Sequence, residues 1–218
     1  HVLFHFFTPQ RLKGSAVGIQ GIDLGKIEDV VDQFQQERAA AMDGVEVLLT
    51  LFVAFDQAAA QRAEIVCLPQ DCVPTDGGAS AEAALKSIAE STAKHKMYVA
   101  ANLKERVGDK LYSTSYLLGP DGRAIGKYRK SHRLPDEDIA LGDALPVFDT
   151  PLGKIGLMIG TDHYWPEVPL VMALEGAELI LVSLGVEPVP QGFPLEITMR
   201  VRALDDHVTM VCSDYASE

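Results

Sequence analysis

The sequence predicts one α/β domain, built as a layered sandwich of helices and mixed β-sheets. Short apolar runs rich in β-branched residues alternate with segments of helical periodicity. Several of these runs are apolar almost throughout, as in strands that are covered on both faces. With 218 residues, 47% of them hydrophobic, the chain is long enough to enclose a full core. Together these observations favour a layered α/β fold.

Six runs are predicted as strands from their apolar and β-branched content. They cover residues 64–68, 97–103, 112–118, 155–159, 179–184 and 208–212. Asp121 and Gly122 form a turn signal that predicts a hairpin after the third run.

Two helices are predicted between the strands. Ser80 is expected to cap the first, because apolar residues follow it on one face at helical spacing. These residues are Ala81, Ala84, Leu85, Ile88 and Ala89. Pro166 at a first helical position and Gly176 beyond the last turn bracket the second helix.

The two ends of the chain are harder to assign. Residues 1–45 contain a plausible strand over 15–20 and a polar helix over 27–42, but this segment stays unplaced. We expect the α/β domain to occupy residues 46–218. The chain ends directly after the strand predicted over 208–212, where a sandwich of this kind needs further strands, so we expect its last strands to be missing.

Composition narrows the classes of partner. A formal net charge of −12 and a pI near 4.9 argue against nucleic acid and anionic membrane surfaces, since both attract positively charged proteins. No apolar run reaches the roughly 18 residues of a membrane span. Cys67, Cys72 and Cys212 are too few for a disulfide framework, which predicts the reducing cytoplasm. The histidines lack metal-ligand spacing, and neither a metal nor a cofactor is expected.

Four blocks, in order along the chain, carry a family resemblance. They are AEIVCLPQ at residues 63–70, GKYRKSH at 126–132, GKIGLMIGTDHYWPE at 153–167 and ALEGAELILV at 173–182. The chain resembles the carbon–nitrogen hydrolase, or nitrilase, family. This resemblance implies an α-β-β-α sandwich and a catalytic triad of cysteine, glutamate and lysine.

By motif, the triad positions are occupied here by Gly160, Gln70 and Lys130, so the resemblance implies that the lysine alone is retained. A thiolate forms the covalent intermediate, a glutamate moves its proton, and a lysine stabilises the developing oxyanion. Glycine has no nucleophile, and the amide of Gln70 has no basic pKa near neutrality. Glu137 is a candidate for the accessory carboxylate that many family members place beside the lysine.

Two classes of function follow. The first is a catalytically degenerate family member that serves as a scaffold, as a binder of a small amide, nitrile or carboxylate, or as a regulatory subunit. The second is an active hydrolase or amide-group transferase with another nucleophile, Cys72 or Thr161, although strand alternation predicts that the Thr161 hydroxyl faces away from the site. An engineered Glu-to-Gln substitution is a third possibility. Thr161, Asp162 and Trp165 are further candidates for ligand contact.

Assembly is predicted from two helical segments. The family resemblance implies that the segments 167–175 and 194–204 pack against their symmetry mates. Their apolar residues lie on more than one side, which indicates a second buried face. These residues are Val168, Leu170, Val171, Leu174, Ile197, Val201 and Leu204. We expect a homodimer, or a hetero-oligomer with an active homologue.

Overall fold

The strands fall into two facing mixed sheets. The computed structural model describes residues 2–7, 44–185 and 195–215 of the chain. In chain order the elements are β1 (Val2–Phe7), α1 (Gly44–Ala60), β2 (Ile65–Cys67), α2 (Ala79–His95), β3 (Tyr98–Val107), β4 (Lys110–Leu118), β5 (Ala124–Arg129), β6 (Val147–Thr150), β7 (Gly153–Ile159), the 3-10 helix Gly160–Tyr164, α3 (Glu167–Leu174), β8 (Leu179–Ser183), α4 (Leu195–Asp205) and β9 (Thr209–Tyr215).

Both sheets mix parallel and antiparallel pairs, as the sequence predicts. The four-stranded sheet has the order β2-β3-β4-β5, with β2 parallel to β3 and the other pairs antiparallel. The five-stranded sheet has the order β1-β9-β8-β7-β6. Its three inner strands are parallel, and β1 and β6 are antiparallel at its edges.

Helices cover the outer faces of the two sheets. Leu51 and Phe55 of α1 and Ile88 of α2 pack in one buried cluster with strand residues of the four-stranded sheet. On the other side, Met172 of α3 packs directly on Gly156 of β7. The layer order is therefore α-β-β-α, and the fold implied by the resemblance is confirmed. Among the described residues, no helix is long and apolar enough to cross a membrane.

All six predicted strands are present, with ends shifted by a few residues. The predicted hairpin lies between β4 and β5, and Gly122 has the positive φ of +77° that its turn requires. The predicted cap of α2 is wrong. Gly78 is the N-cap, and the Ser80 hydroxyl instead donates to Asp76 Oδ1 at 2.7 Å. Pro166 lies at the N-cap of α3, one residue before the predicted position.

Four elements are absent from the sequence prediction, namely β1, α1, β6 and the 3-10 helix Gly160–Tyr164. The sequence of α1 is apolar and rich in β-branched residues along most of its length, so periodicity does not separate helix from strand there. β6 has four residues, too few for a recognisable alternation. The strand predicted over 15–20 and the helix predicted over 27–42 lie outside the described residues. The division between residues 1–45 and 46–218 stays a prediction.

Candidate active site

Gly160 opens a tight turn directly after β7. It is buried, and its φ of +49° lies in the left-handed region. A residue with a Cβ reaches this region at a cost of roughly 1 kcal/mol or more, whereas glycine adopts it freely. The 3-10 helix Gly160–Tyr164 then carries the chain towards α3. The position predicted for the nucleophile therefore lies on a backbone turn that favours glycine.

The same turn corrects the expectation for Thr161. Strand alternation ends at Ile159, because Thr161 already belongs to the 3-10 helix, so alternation does not determine where its hydroxyl points. Thr161 is completely buried. Its Oγ1 has no hydrogen-bond partner among the described residues, so no neighbouring base in that part of the chain accepts its proton.

Asp162 joins the turn after β7 to the end of β5. Its Oδ2 accepts hydrogen bonds from Tyr128 Oη at 2.6 Å and from the Ile159 amide at 3.3 Å. Its Oδ1 accepts from the Ser131 hydroxyl at 3.1 Å and from the His132 amide at 2.9 Å. Asp162 is completely buried, so the geometry gives its carboxylate a positioning part. Its contact with a ligand stays a prediction.

Burial raises the pKa of Asp162 above its ordinary value, and the hydrogen bonds from Tyr128 and His132 act in the opposite direction. Burial, and then the negative charge of Asp162, also raise the pKa of Tyr128 well above its usual range. Tyr128 therefore keeps its proton and remains a donor to the carboxylate. The bond fixes the distance between β5 and the Gly160 turn.

Lys130 follows β5 and is completely buried. Its Nζ lies 2.6 Å from Glu137 Oε1, so the predicted contact between the two side chains is present. The second oxygen of Glu137 accepts the Leu134 amide at 2.8 Å. Because an unpaired ammonium costs roughly 3–5 kcal/mol to bury, the contact with Glu137 offsets much of the cost of burying Lys130.

Gln70 lies just beyond β2, in the turn that leads out of the sheet, and is buried. Its backbone N–H donates to the Leu184 carbonyl at 2.8 Å, directly after β8. A second link is close by, because the Ser183 hydroxyl donates to the Leu68 carbonyl at 2.8 Å. These bonds bring the ends of β2 and β8 together across the two sheets.

The three triad positions therefore lie at one edge of the sandwich. β5 runs in the same direction as β2, because two antiparallel pairs separate it from β3. β7 runs parallel to β8, so Gly160 follows a strand end at the edge where β8 meets β2. The Asp162 bonds then tie the Gly160 turn to the residues around Lys130. Fold topology thus brings Gly160, Gln70 and Lys130 together.

The cysteines do not provide an evident replacement for the thiol. Cys72 packs in the cluster between the four-stranded sheet and its outer helices. Cys67 and Cys212 lie in the core between the sheets, and all three cysteines are buried and form no disulfide. Burial raises the pKa of Cys67 to about 12 and that of Cys212 well above its usual range, so both thiols stay protonated at neutral pH.

Two aromatic neighbours complete the edge of the site. Trp165 stacks on the His132 ring, with ring centroids 4.3 Å apart and an interplanar angle of 16°. His163 is buried, and its Nδ1 lies 2.7 Å from the Gly160 carbonyl. Burial lowers the pKa of His163 to about 4, so the ring is neutral at pH 7. The single ring proton is then on Nδ1, which donates a hydrogen bond to the Gly160 carbonyl. The sequence alone does not indicate this role of His163, because its contact with Gly160 exists only once the turn is formed.

Metal ligation finds no support in the described residues, where no three His, Cys, Asp or Glu side chains are grouped as a metal ion would require.

The fold and this site together define a class, the α-β-β-α sandwich proteins whose site lies at the edge of two facing sheets. The model of the carbon–nitrogen hydrolase family matches residues 25–216. The chain therefore belongs to the carbon–nitrogen hydrolase family.

Relatives of known name are similar over part of their length. A nitrilase of Pyrococcus abyssi is 35% identical over 127 residues, which cover 56% of this chain and 46% of the nitrilase. An omega-amidase of Homo sapiens is 30% identical over 184 residues, which cover 74% of this chain and 66% of the amidase. The chain thus spans about half to two thirds of these relatives.

Solved structures share the fold. A mutant amidase from Nesterenkonia sp. AN1, with acrylamide added at its active-site cysteine, has a TM-score of 0.73 and 20% identity, covering 79% of this chain and 73% of its own. Saccharomyces cerevisiae Nit3 also has a TM-score of 0.73, with 21% identity over 82% of this chain and 73% of its own.

Proposed function

We propose that this chain is a catalytically degenerate carbon–nitrogen hydrolase, which keeps the ligand site of the family without its covalent chemistry. The observation that carries the proposal is Gly160, which occupies the nucleophile position on a turn with φ of +49°. Without a side chain at this point, no thioester or thioimidate can form there.

The replacement at the base position supports the same conclusion. Gln70 is buried at the edge where Lys130 lies, but an amide neither accepts a proton from a nucleophile nor delivers one to a leaving amine. The Lys130–Glu137 pair remains complete. The site therefore has a buried cation for binding an electron-rich group and lacks the two groups that would turn binding into hydrolysis.

Binding or regulation is the role that such a site supports. The relatives include omega-amidases and a nitrilase, so a small amide, nitrile or carboxylate is the class of ligand that the inherited site would hold. A scaffold or regulatory subunit of an active homologue is the second form of the same proposal. Three buried cysteines that form no disulfide fit a reducing compartment, and we propose the cytoplasm.

The alternative is an active hydrolase or amide-group transferase with a different nucleophile. Cys72 packs on the helix side of the four-stranded sheet, in a cluster that does not include the residues around Lys130. Thr161 is next to Gly160, but its buried hydroxyl has no partner among the described residues that could act as a base. Both observations favour the degenerate site.

The exposed apolar residues of α3 and α4 support the proposed assembly. Val168 is buried against the core, whereas the other six predicted residues are exposed. The most exposed are Leu174 at 78%, Ile197 at 59% and Leu204 at 55%. Exposed apolar residues on neighbouring turns of a helix are typical of an interface, which supports the proposal. We propose a homodimer, or a hetero-oligomer with an active homologue, through these helices.

Ammonia release by the purified full chain tests the proposal. Primary amides, nitriles and N-carbamoyl compounds are incubated with the protein, and ammonia is measured against buffer, with and without iodoacetamide. We expect no release above buffer under either condition. Release that iodoacetamide abolishes would overturn the proposal in favour of Cys72, and release that iodoacetamide leaves unchanged would overturn it in favour of Thr161.

A further inference from the structure

A second lysine–carboxylate pair lies at the same edge of the sandwich as Lys130. Lys104 Nζ is 2.9 Å from Asp71 Oδ2, and the two side chains are 23% and 32% exposed. Lys104 of β3 is the register partner of Ser113 of β4, and the Lys130 amide donates to the Ser113 carbonyl at 2.9 Å. Directly opposed residues of neighbouring strands share a face, so Lys104 and Lys130 lie on the same face of the four-stranded sheet.

This face is the one that looks into the sandwich. Tyr128, two residues before Lys130, lies in the core between the sheets. Side chains two positions apart on a strand point the same way. β2 ends at Cys67, which pairs with Ala100, so β3 continues past the end of β2 before it reaches Lys104. Lys104 therefore lies on the inner face of the four-stranded sheet, at the edge of the sandwich where Gln70 also lies.

Lys104 is held in place by a small polar network. The Asp71 amide donates to Asn102 Oδ1 at 2.9 Å, and Asn102 Nδ2 donates to the Ser113 hydroxyl at 3.2 Å. Asn102 and Ser113 are completely buried. Because Asp71 is anchored to the sheet through its backbone, its carboxylate holds the ammonium of Lys104 at a fixed point of the edge.

The ammonium group of Lys104 has N–H donors left for a ligand. A lysine has three N–H donors. In the part of the chain that the structure describes, its recorded partner is Asp71, which takes one of them. The group is also reachable, since the side chain is partly exposed. Two donors are thus open to solvent or to an anion.

The glutamine at position 70 lowers the negative charge of the edge. Lys104 and Lys130 contribute two positive charges, and Asp71 and Glu137 contribute two negative ones. Gln70 is neutral, so these four charges sum to zero, and the Asp162 carboxylate near Lys130 gives the edge one excess negative charge. A glutamate in place of Gln70 would add a second and repel a carboxylate more strongly. The presence of Gln70 in place of a glutamate therefore reduces the electrostatic repulsion of an anionic ligand at this edge.

We propose that Lys104 is a binding residue for the carboxylate of a small ligand whose other end lies beside Lys130. Adjacent strands are about 4.8 Å apart, so the two lysine backbones are separated by about 10 Å, a span that a short acid and two long side chains fill. This inference deepens the proposed function, on which it rests, by naming the class of ligand.

Calorimetric titration of the full chain tests the inference, with glutarate as the probe and the neutral diamide glutaramide as its matched control. Lys104→Gln should weaken glutarate binding about tenfold, as for the loss of a charge-assisted hydrogen bond. Asp71→Asn should tighten it about threefold, because a competing negative charge is removed. Neither variant should change the affinity for glutaramide. Lys86→Gln, at a lysine of α2 whose side chain is 79% exposed, should change nothing.

A purely structural role for the pair would weaken binding in both variants, so opposite signs support the inference. Equal affinity of Lys104→Gln and the unmodified chain for glutarate would overturn it, as would the absence of glutarate binding at millimolar concentration. Ammonia is measured in the glutaramide samples. Ammonia release would overturn the proposed loss of catalysis, whereas failure of glutarate to bind without ammonia release would overturn only the carboxylate assignment.

Discussion

Asp162 offers the most direct test of how the site is held together. The change is Asp162→Asn, which keeps the volume of the side chain and replaces one oxygen by an NH₂ group. In the structure both oxygens accept, from Tyr128 and Ile159 on one side and from Ser131 and His132 on the other. The oxygen of the asparagine amide can accept from one of these two donor pairs. Its NH₂ group then faces the donors of the other pair and cannot accept from them.

The expected loss of unfolding free energy is about 3 kcal/mol. Hydrogen bonds to a charged acceptor contribute roughly 1.5–3 kcal/mol each, and the variant loses two of them if its oxygen stays with Ser131 and His132. Part of this loss is offset, because burial raises the pKa of Asp162 and a neutral amide is cheaper to bury than a carboxylate. Ser131→Ala removes one of the four bonds to the carboxylate and should cost about 1.5 kcal/mol, because Oδ1 keeps its bond from the His132 amide.

Urea unfolding followed by circular dichroism at pH 7 measures these differences. The free energies of unfolding of the unmodified chain, Asp162→Asn and Ser131→Ala are compared with one shared m-value, the slope of unfolding free energy against urea concentration. If Asp162→Asn is no less stable than Ser131→Ala, the carboxylate does not hold β5 to the Gly160 turn, and the reasoning from its four contacts is refuted.

Three further predictions concern acid stability, thiols and assembly. Burial lowers the pKa of His163 from 6.5 to about 4, so the unfolded state binds more protons than the folded state in this range. The free energy of unfolding should therefore fall by about 3 kcal/mol between pH 7 and pH 4, which urea unfolding at the two pH values measures. If His163→Gln shows the same full loss, the assignment to His163 is wrong. Ellman's reagent should modify no thiol of the native chain at pH 8 and all three after unfolding, because the cysteines are buried; one fast native thiol would refute this. Sedimentation at micromolar concentration should show a dimer that Leu174→Glu dissociates and Val107→Glu does not; a monomeric unmodified chain would exclude the homodimer.

Much of the architecture was accessible from the sequence, for physical reasons. Buried strands such as β7 and β8 are apolar on both faces and show no competing periodicity, so their residues predict them well. Gly122 had to adopt a positive φ, which made the β4–β5 hairpin predictable. α1 was missed because β-branched and apolar residues occupy nearly every position of a helix that packs on a sheet.

The contacts of the site were less accessible. Motif order identified Lys130 and its partner Glu137, because the two are close in sequence. The Lys104–Asp71 pair depends on where β3 extends past β2, and the contact of His163 with Gly160 depends on the 3-10 turn that follows the strand predicted over 155–159. Strand register and turn geometry, which single residues do not encode, decide these contacts.

We propose, as the central claim, that Gly160 and Gln70 remove covalent catalysis from the edge site. Intact-mass spectrometry after incubation with propionamide tests it most directly, with Gly160→Cys, Gln70→Glu and the double variant compared with the unmodified chain. A cysteine at φ of +49° costs roughly 1 kcal/mol, which a folded domain tolerates.

We predict a propionyl adduct on the double variant, little or none on Gly160→Cys because its thiol lacks a base, and none on Gln70→Glu or on the unmodified chain. Gly160→Ala combined with Gln70→Glu controls for the backbone change and should stay unmodified. A propionyl adduct on the unmodified chain would contradict the account.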